Sequence, residues 1–128
     1  MKGGLAEGII HIVDDEPDIL NIAAGALRNT GYLFHSFSNP PEALDDLEKC
    51  GDKMSMLITD IRMPGYSGFE LARQARRVNP DLPVVFMTAF EVNLIEFEKI
   101  FPSLKVNDLL QKPFHIDKLV GLVKNHVR

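Results

Sequence analysis

Five side chains able to do chemistry stand at the ends of strand-like runs. Asp14 and Asp15 follow residues 9–13, Asp60 follows residues 56–59, Thr88 follows residues 84–87, and Lys112 closes residues 106–111. Two like charges about 4 Å apart repel by roughly 4 kcal/mol at an effective dielectric near 20. Clustered carboxylates therefore take up a proton or bind a cation. An all-oxygen donor set suits Mg²⁺, which keeps several waters and uses one or two carboxylates. Asp15 and Asp60 are the candidates for direct ligation, and Asp14 for ligation through water. Lys112 supplies a point charge suited to phosphate, and Thr88 a hydroxyl donor. Such a set fits phosphoryl transfer, where positioning and charge neutralisation provide most of the catalysis. Neither G-x-x-x-x-G-K-[ST] nor G-x-G-x-x-G occurs, which argues against a nucleotide as the phosphoryl carrier. Carboxylates can form aspartyl phosphates, and Asp60 is the central candidate. Taken singly, each group also has a plain structural role: Asp-Asp as a helix N-cap, Lys-Pro as a strand end.

The intervening segments must bring these groups together. Short runs rich in Val, Ile and Leu read as buried strands of a parallel sheet, and five of them alternate with helix-like stretches. Pro17 suits a first helical turn, and Ile19, Ile22, Ala23, Ala26 and Leu27 keep the spacing of one helix face up to Gly31. Residues 32–37 alternate imperfectly, as suits a strand near the sheet edge. Pro40 and Pro41 open a second helix with Ala43, Leu44 and Leu47 as its core stripe and Gly51 as its end. Residues 63–68 read as a breaker-rich loop. Leu71, Ala72, Ala75 and Val78 mark a third helix, stopped at Asn79-Pro80. Val92, Ile95, Ile100 and Phe101 suggest a fourth, and Ile116, Leu119, Val120, Val123 and Val127 a fifth. Five β-α units with right-handed crossovers predict a flavodoxin-like, doubly wound five-stranded parallel sheet, order 2-1-3-4-5, with five helices. Five units are too few for an eight-fold barrel. All five groups then fall at carboxyl ends of strands, where open α/β sheets bind their ligands.

The 128 residues suffice for one domain with its own core. Residues 1–7 read as a loose leader and 8–128 as the folded unit. A net charge of -4 argues against a nucleic-acid surface on this domain. A single cysteine, Cys50, forbids an intrachain disulfide and fits a cytoplasmic setting; it reads as a half-buried helix-end residue. No apolar run approaches a membrane span of about twenty residues. His11 reads as a core histidine, and His35, His115 and His126 show no metal-ligand spacing. Arg73, Arg76 and Arg77 read as a solvated basic face.

Four ordered pieces carry a family resemblance: residues 12–17 (Ile-Val-Asp-Asp-Glu-Pro), 58–65 (Ile-Thr-Asp-Ile-Arg-Met-Pro-Gly), 83–89 (Pro-Val-Val-Phe-Met-Thr-Ala) and 111–114 (Gln-Lys-Pro-Phe). From about Gly8 to His126 the chain resembles the receiver domain of two-component response regulators. The resemblance implies that Asp60 accepts a phosphoryl group from a sensor histidine kinase or phosphotransfer protein. It implies Mg²⁺ held by Asp14, Asp15 and Asp60 with the Arg62 backbone carbonyl, Thr88 bonding the arriving phosphoryl group, and Lys112 pairing with Asp60 and then with the phosphoryl group. It further implies a cis Lys112-Pro113 bond, and a switch through the fourth helix, fifth strand and fifth helix, a face that also serves output partners or a homodimer. On that reading the domain catalyses only its own phosphorylation and dephosphorylation. Arg62 and Phe90 occupy positions that tune the lifetime of the phosphoryl group in this family. Leu109 stands where most members carry Tyr or Phe, so the relay departs from the pattern there. Two other readings compete: a phosphorylation-independent interaction module, and an Mg²⁺-dependent aspartyl-phosphate phosphohydrolase, which the lack of an acid at Arg62 disfavours.

Overall fold

A computed structural model of the chain describes residues 8–89, 99 and 108–127. Its central sheet comprises β1 (Ile9–Val13), β2 (Leu33–Phe37), β3 (Met54–Asp60), β6 (Val84–Thr88) and β7 (Asp108–Gln111). The order is β2-β1-β3-β6-β7 and every pairing is parallel. This is the 2-1-3-4-5 order expected of a doubly wound sheet. A second, antiparallel ribbon pairs β4 (Arg62–Met63) with β5 (Tyr66–Ser67). Four α-helices fall among the described residues: α1 (Pro17–Arg28), α2 (Pro40–Cys50), α3 (Gly68–Val78) and α4 (Ile116–His126). The helix expected around Val92 to Phe101 lies outside the described residues.

The helices form two layers. Ala43 and Leu47 of α2 with Leu71, Ala72 and Ala75 of α3 pack on Val13, Leu57 and Phe86 from one face of the sheet. On the other face, Ala23, Ala26 and Leu27 of α1 with Leu119, Leu122 and Val123 of α4 pack on Ile10, Ile12, Ile58, Val85 and Met87. Adjacent strand residues point to opposite faces, so a strand covered on both sides must be apolar throughout. Strands β3 and β6 show this, with all of β6 and six of the seven β3 residues buried.

Some sequence expectations are corrected. Ile22 is 44% exposed, because the buried face of α1 is centred between Ile19 and Leu27 and takes in Leu20 on its other flank. Ile116, the first residue of α4, is 51% exposed; it precedes the point where the helix meets the sheet, and Leu122 joins the stripe instead. The breaker-rich loop expected at residues 63–68 is the turn and second strand of a hairpin over residues 62–67, followed by the first residue of α3. Pro64 and then Gly65, with φ +73°, occupy the two turn positions between the paired Met63 and Tyr66, the residue order of a type II turn. Arg76 does not face water: it is half-buried and its Nε donates to the Leu82 carbonyl at 3.2 Å, while Arg73 remains on the surface, paired with Glu70.

Candidate functional site at the carboxyl edge of the sheet

The topology delivers the predicted groups to one edge. Asp14 directly follows β1, Asp60 ends β3, Thr88 ends β6 and Lys112 follows β7. Neighbouring parallel strands hold them in step: Asp60 lies opposite Met87, one residue before Thr88, and Thr88 lies opposite Gln111, one residue before Lys112. The edge is stitched past the strand ends as well. The Lys112 N–H donates to the Thr88 carbonyl at 2.7 Å, and the Ile61 N–H to the Met87 carbonyl at 3.3 Å. The Lys112-Pro113 peptide is cis.

Asp14 is fully buried. Its Oδ1 accepts the Glu16 backbone N–H at 2.9 Å, a local Asx-type turn that leads the chain into α1. Its Oδ2 lies 2.7 Å from Lys112 Nζ, a charge contact outside directional hydrogen-bond geometry. Lys112 Nζ also lies 3.1 Å from Glu16 Oε1 and 3.5 Å from Asp60 Oδ1. One ammonium thus meets three carboxylates. Burial works against the Lys112 charge, but Asp14, Glu16 and Asp60 outweigh it and hold its pKa above the ordinary value. Burial pushes the Asp14 carboxyl upward against the pull of the same lysine.

Asp60 is 8% exposed at the end of the middle strand. Its Oδ1 accepts the Ile61 N–H at 3.0 Å. Burial, followed by the neighbouring Asp14 charge, raises its pKa from 3.8 to about 6 in spite of Lys112. Its backbone is braced by Gly68. A Cβ at that position would lie 2.0 Å from the Asp60 carbonyl oxygen, so only glycine lets α3 begin there. The Gly68 N–H donates to the Ile61 carbonyl at 2.8 Å, and Ser67 caps the helix through Phe69 N–H.

Asp14, Asp15 and Asp60 can each direct one carboxylate oxygen so that the three lie within 4.8 Å of one another. Three hard oxygens, one of them Asp14 Oδ2 with no hydrogen bond, fit Mg²⁺ better than a softer ion. Arg62 opens the ribbon two residues beyond Asp60. Asp14, Asp15, Asp60 and Lys112 therefore come together at this edge, with Thr88 at the end of the neighbouring strand; Phe90 lies outside the described residues. Sequence reasoning missed Glu16, the third partner of Lys112, and Gly68, whose lack of a side chain makes room for the Asp60 carbonyl. The adjacency of Glu16 to Asp14-Asp15 was a usable signal for the first. Nothing local marked the second.

An open parallel sheet with an acidic trio and a lysine at its carboxyl edge defines a phosphoryl- or metal-handling α/β domain. The family model described as the response regulator receiver domain matches residues 10–124, and the chain belongs to that family, the receiver domains of two-component signalling. It is 33% identical over 115 residues to the response regulator receiver protein CpdR of Brucella abortus (strain 2308), covering 90% of this chain and 92% of that one. It is also 33% identical over 125 residues to the DNA-binding transcriptional regulator NtrC of Escherichia coli (strain K12), covering 96% of this chain but 25% of that protein. The chain thus spans nearly all of one relative and a quarter of the other. Among solved structures, the receiver domain of the hybrid histidine kinase CckA superposes with a TM-score of 0.78 at 30% identity, covering 94% of this chain and 100% of that one. The Vibrio cholerae chemotaxis protein CheY4 superposes with a TM-score of 0.83 at 22% identity, covering 95% and 100%, a likeness of fold.

Proposed function

We propose that this domain is a phosphoacceptor switch in which Asp60 takes a phosphoryl group from the phosphohistidine of a sensor kinase or phosphotransfer protein. The carrying observation is the setting of Asp60: a nearly buried carboxylate at the end of the middle strand, with Lys112 Nζ 3.5 Å away and two further acids beside it. Its Oδ1 accepts the Ile61 N–H and lies 3.5 Å from Lys112 Nζ. A carboxylate oxygen of Asp60 is the attacking atom. A carboxylate O–P bond forms as the P–N bond of the donor breaks, and the departing imidazole keeps the electron pair and takes a proton. Lys112 is placed to exchange its carboxylate partners for phosphoryl oxygens, and Thr88 to donate its hydroxyl to one of them.

Asp15 and Asp60 would hold Mg²⁺ directly, with Asp14 through water and the Arg62 carbonyl completing the protein's share. When bound, the ion supplies positive charge that keeps Asp60 ionised and neutralises phosphoryl oxygens. The new charge at Asp60 then biases the region following β6 and β7. Leu109 in β7 packs against the α2–α3 core opposite Phe86, so the relay runs through aliphatic packing where relatives use an aromatic ring. Among the described residues, β7 and α4 belong to the face expected to serve output or homodimer contacts. No helix among the described residues is long and apolar enough to cross a membrane; a cytoplasmic location is part of this proposal.

Incubation with acetyl phosphate and Mg²⁺, read by intact mass, tests the reading. One phosphoryl group per chain is expected, with none on Asp60→Asn. No sustained turnover of a chromogenic phosphate ester is expected. Absence of any mass gain from acetyl phosphate and from a phosphorylated kinase would transfer the domain to the phosphorylation-independent interaction class.

A further inference from the structure

Three residues before Asp14, the same strand carries a second polar cluster with different chemistry. His11 on β1 and His35 on β2 are register partners on adjacent parallel strands, so their side chains leave the same face of the sheet. Above them, α2 presents Asp46 and Cys50, four residues apart and hence on one helix face. All four side chains converge on one point. His11 Nε2 lies 2.8 Å and His35 Nδ1 2.6 Å from Asp46 Oδ2, and Cys50 Sγ lies 3.6 Å from the same oxygen. One ligand atom from each of the four lies within 4.8 Å of all the others.

We propose that His11, His35, Asp46 and Cys50 form a tetrahedral binding site for a borderline-soft divalent transition cation of the Zn²⁺ class. Two imidazoles, one carboxylate and one thiolate are the donor types such ions select, and Mg²⁺ does not favour nitrogen or sulfur. Bonds of ~2.0 Å to nitrogen or oxygen and ~2.3 Å to sulfur place tetrahedral ligand atoms about 3.3 to 3.5 Å apart. The contacts around Asp46 Oδ2, 2.6 to 3.6 Å, need to open by less than about 1 Å to admit the ion. The surroundings suit it as well. Phe37 stacks on His11 with ring planes 10° apart and meets His35 edge-on, while Leu44, Leu47 and Phe37 belong to one hydrophobic core. His35 is 44% exposed at the sheet edge and leaves a way in.

A second observation concerns the buried ring of His11. Both imidazoles converge on the same Asp46 oxygen. An ionised Asp46 only accepts, so without metal both rings must donate to it. That leaves His11 Nδ1, on a fully buried ring, without a hydrogen-bond partner. With a cation on Nε2 the ring proton belongs on Nδ1. Binding is balanced by release of the Cys50 thiol proton; the imidazoles enter neutral and the carboxylate enters ionised.

The test uses the full chain, stripped with chelator and held in excess Mg²⁺ so that the carboxylate edge is already served. Titration with Co²⁺ is expected to give one equivalent per chain, with tetrahedral visible bands and a thiolate-to-cobalt charge-transfer band, both displaced by Zn²⁺. Zn²⁺ is expected to block alkylation of Cys50. Cys50→Ser and His35→Ala, at partly exposed positions where folding is checked by circular dichroism, should each weaken Zn²⁺ binding by at least about 100-fold. Asp60→Asn should leave it unchanged. A cobalt spectrum lacking the thiolate band, Zn²⁺ affinity indifferent to Cys50→Ser and His35→Ala, or affinity lost in Asp60→Asn would each overturn the proposal.

Discussion

Strand β1 feeds two polar clusters built on opposite principles. At its end, Asp14 joins Asp15, Asp60 and Glu16 around a single lysine, so that negative charge exceeds the positive charge available. Three residues earlier, His11 joins His35 and Cys50 around a single carboxylate, so that donors exceed the acceptor. Both rest on a fully buried group from the same strand. The carboxylate edge is hard and charge-starved, and suits an ion or phosphoryl group whose charge can be exchanged. The histidine cluster is softer and holds one carboxylate charge, shared among several donors. Burial alone therefore does not make a switch. What separates the two is how much uncompensated charge each cluster holds.

Removing the one positive partner should expose this contrast most strongly. Lys112→Met leaves Asp14 buried with no ammonium, and breaking a buried pair from one side costs about 3–5 kcal/mol. Thermal or urea unfolding in chelator should show that loss, Mg²⁺ should recover part of it, and Asp14→Asn in the same chain should recover more. His35→Ala in the other cluster should show no such Mg²⁺ dependence.

Gly68→Ala should come next, at roughly 2–4 kcal/mol, because the added Cβ meets the Asp60 carbonyl backbone and cannot be accommodated by a side-chain rotation. Backbone amide shifts should spread along Asp60, Ile61 and the β4–β5 ribbon while His11 and His35 stay in place. Uniform shifts across both clusters would contradict their independence.

Asp60 gives a stabilising change. Its folded pKa is raised from 3.8 to about 6. A raised value contributes stability that is full below the unfolded pKa and lost as pH rises through the folded one. In chelator, the domain should therefore lose stability between about pH 4 and pH 7 from this group. The span of roughly 2 pH units corresponds to at most about 3 kcal/mol. Asp60→Asn should remove that slope and be the more stable protein at pH 7.5, as chemical denaturation at several pH values would reveal.

The smallest effect belongs to the histidine cluster without metal. His35→Ala removes one hydrogen bond from a half-exposed ring and should cost about 1 kcal/mol, with His11 still bound to Asp46. Saturating Zn²⁺ should widen the gap between wild type and His35→Ala, since ligand bound only to the folded state adds stability by mass action.

The carboxyl edge was legible in the sequence because a parallel sheet turns linear order into spatial position: a polar residue closing an apolar run lands on one edge wherever the run lies. Asp14, Asp60, Thr88 and Lys112 needed no knowledge of side-chain packing. The histidine cluster was not legible for the converse reason. His11 and His35 are 24 positions apart and meet only through the β1–β2 register, while Asp46 and Cys50 reach them only because α2 lies over that face. No short spacing encodes a contact that needs strand register and helix placement together. Helix faces were read correctly at their centres and misread at their margins, as Ile22 and Ile116 show; hydrophobic periodicity places the stripe but not its width.

The central claim concerns one residue, and borohydride trapping addresses it directly. After brief exposure to a phosphodonor with Mg²⁺, reduction converts an acyl phosphate to the corresponding alcohol, which peptide mass mapping can locate. The account predicts homoserine at position 60, dependent on Mg²⁺ and on the donor. Reduction product at Asp14 or Asp15, or phosphoryl uptake that leaves Asp60 unmodified, would contradict it.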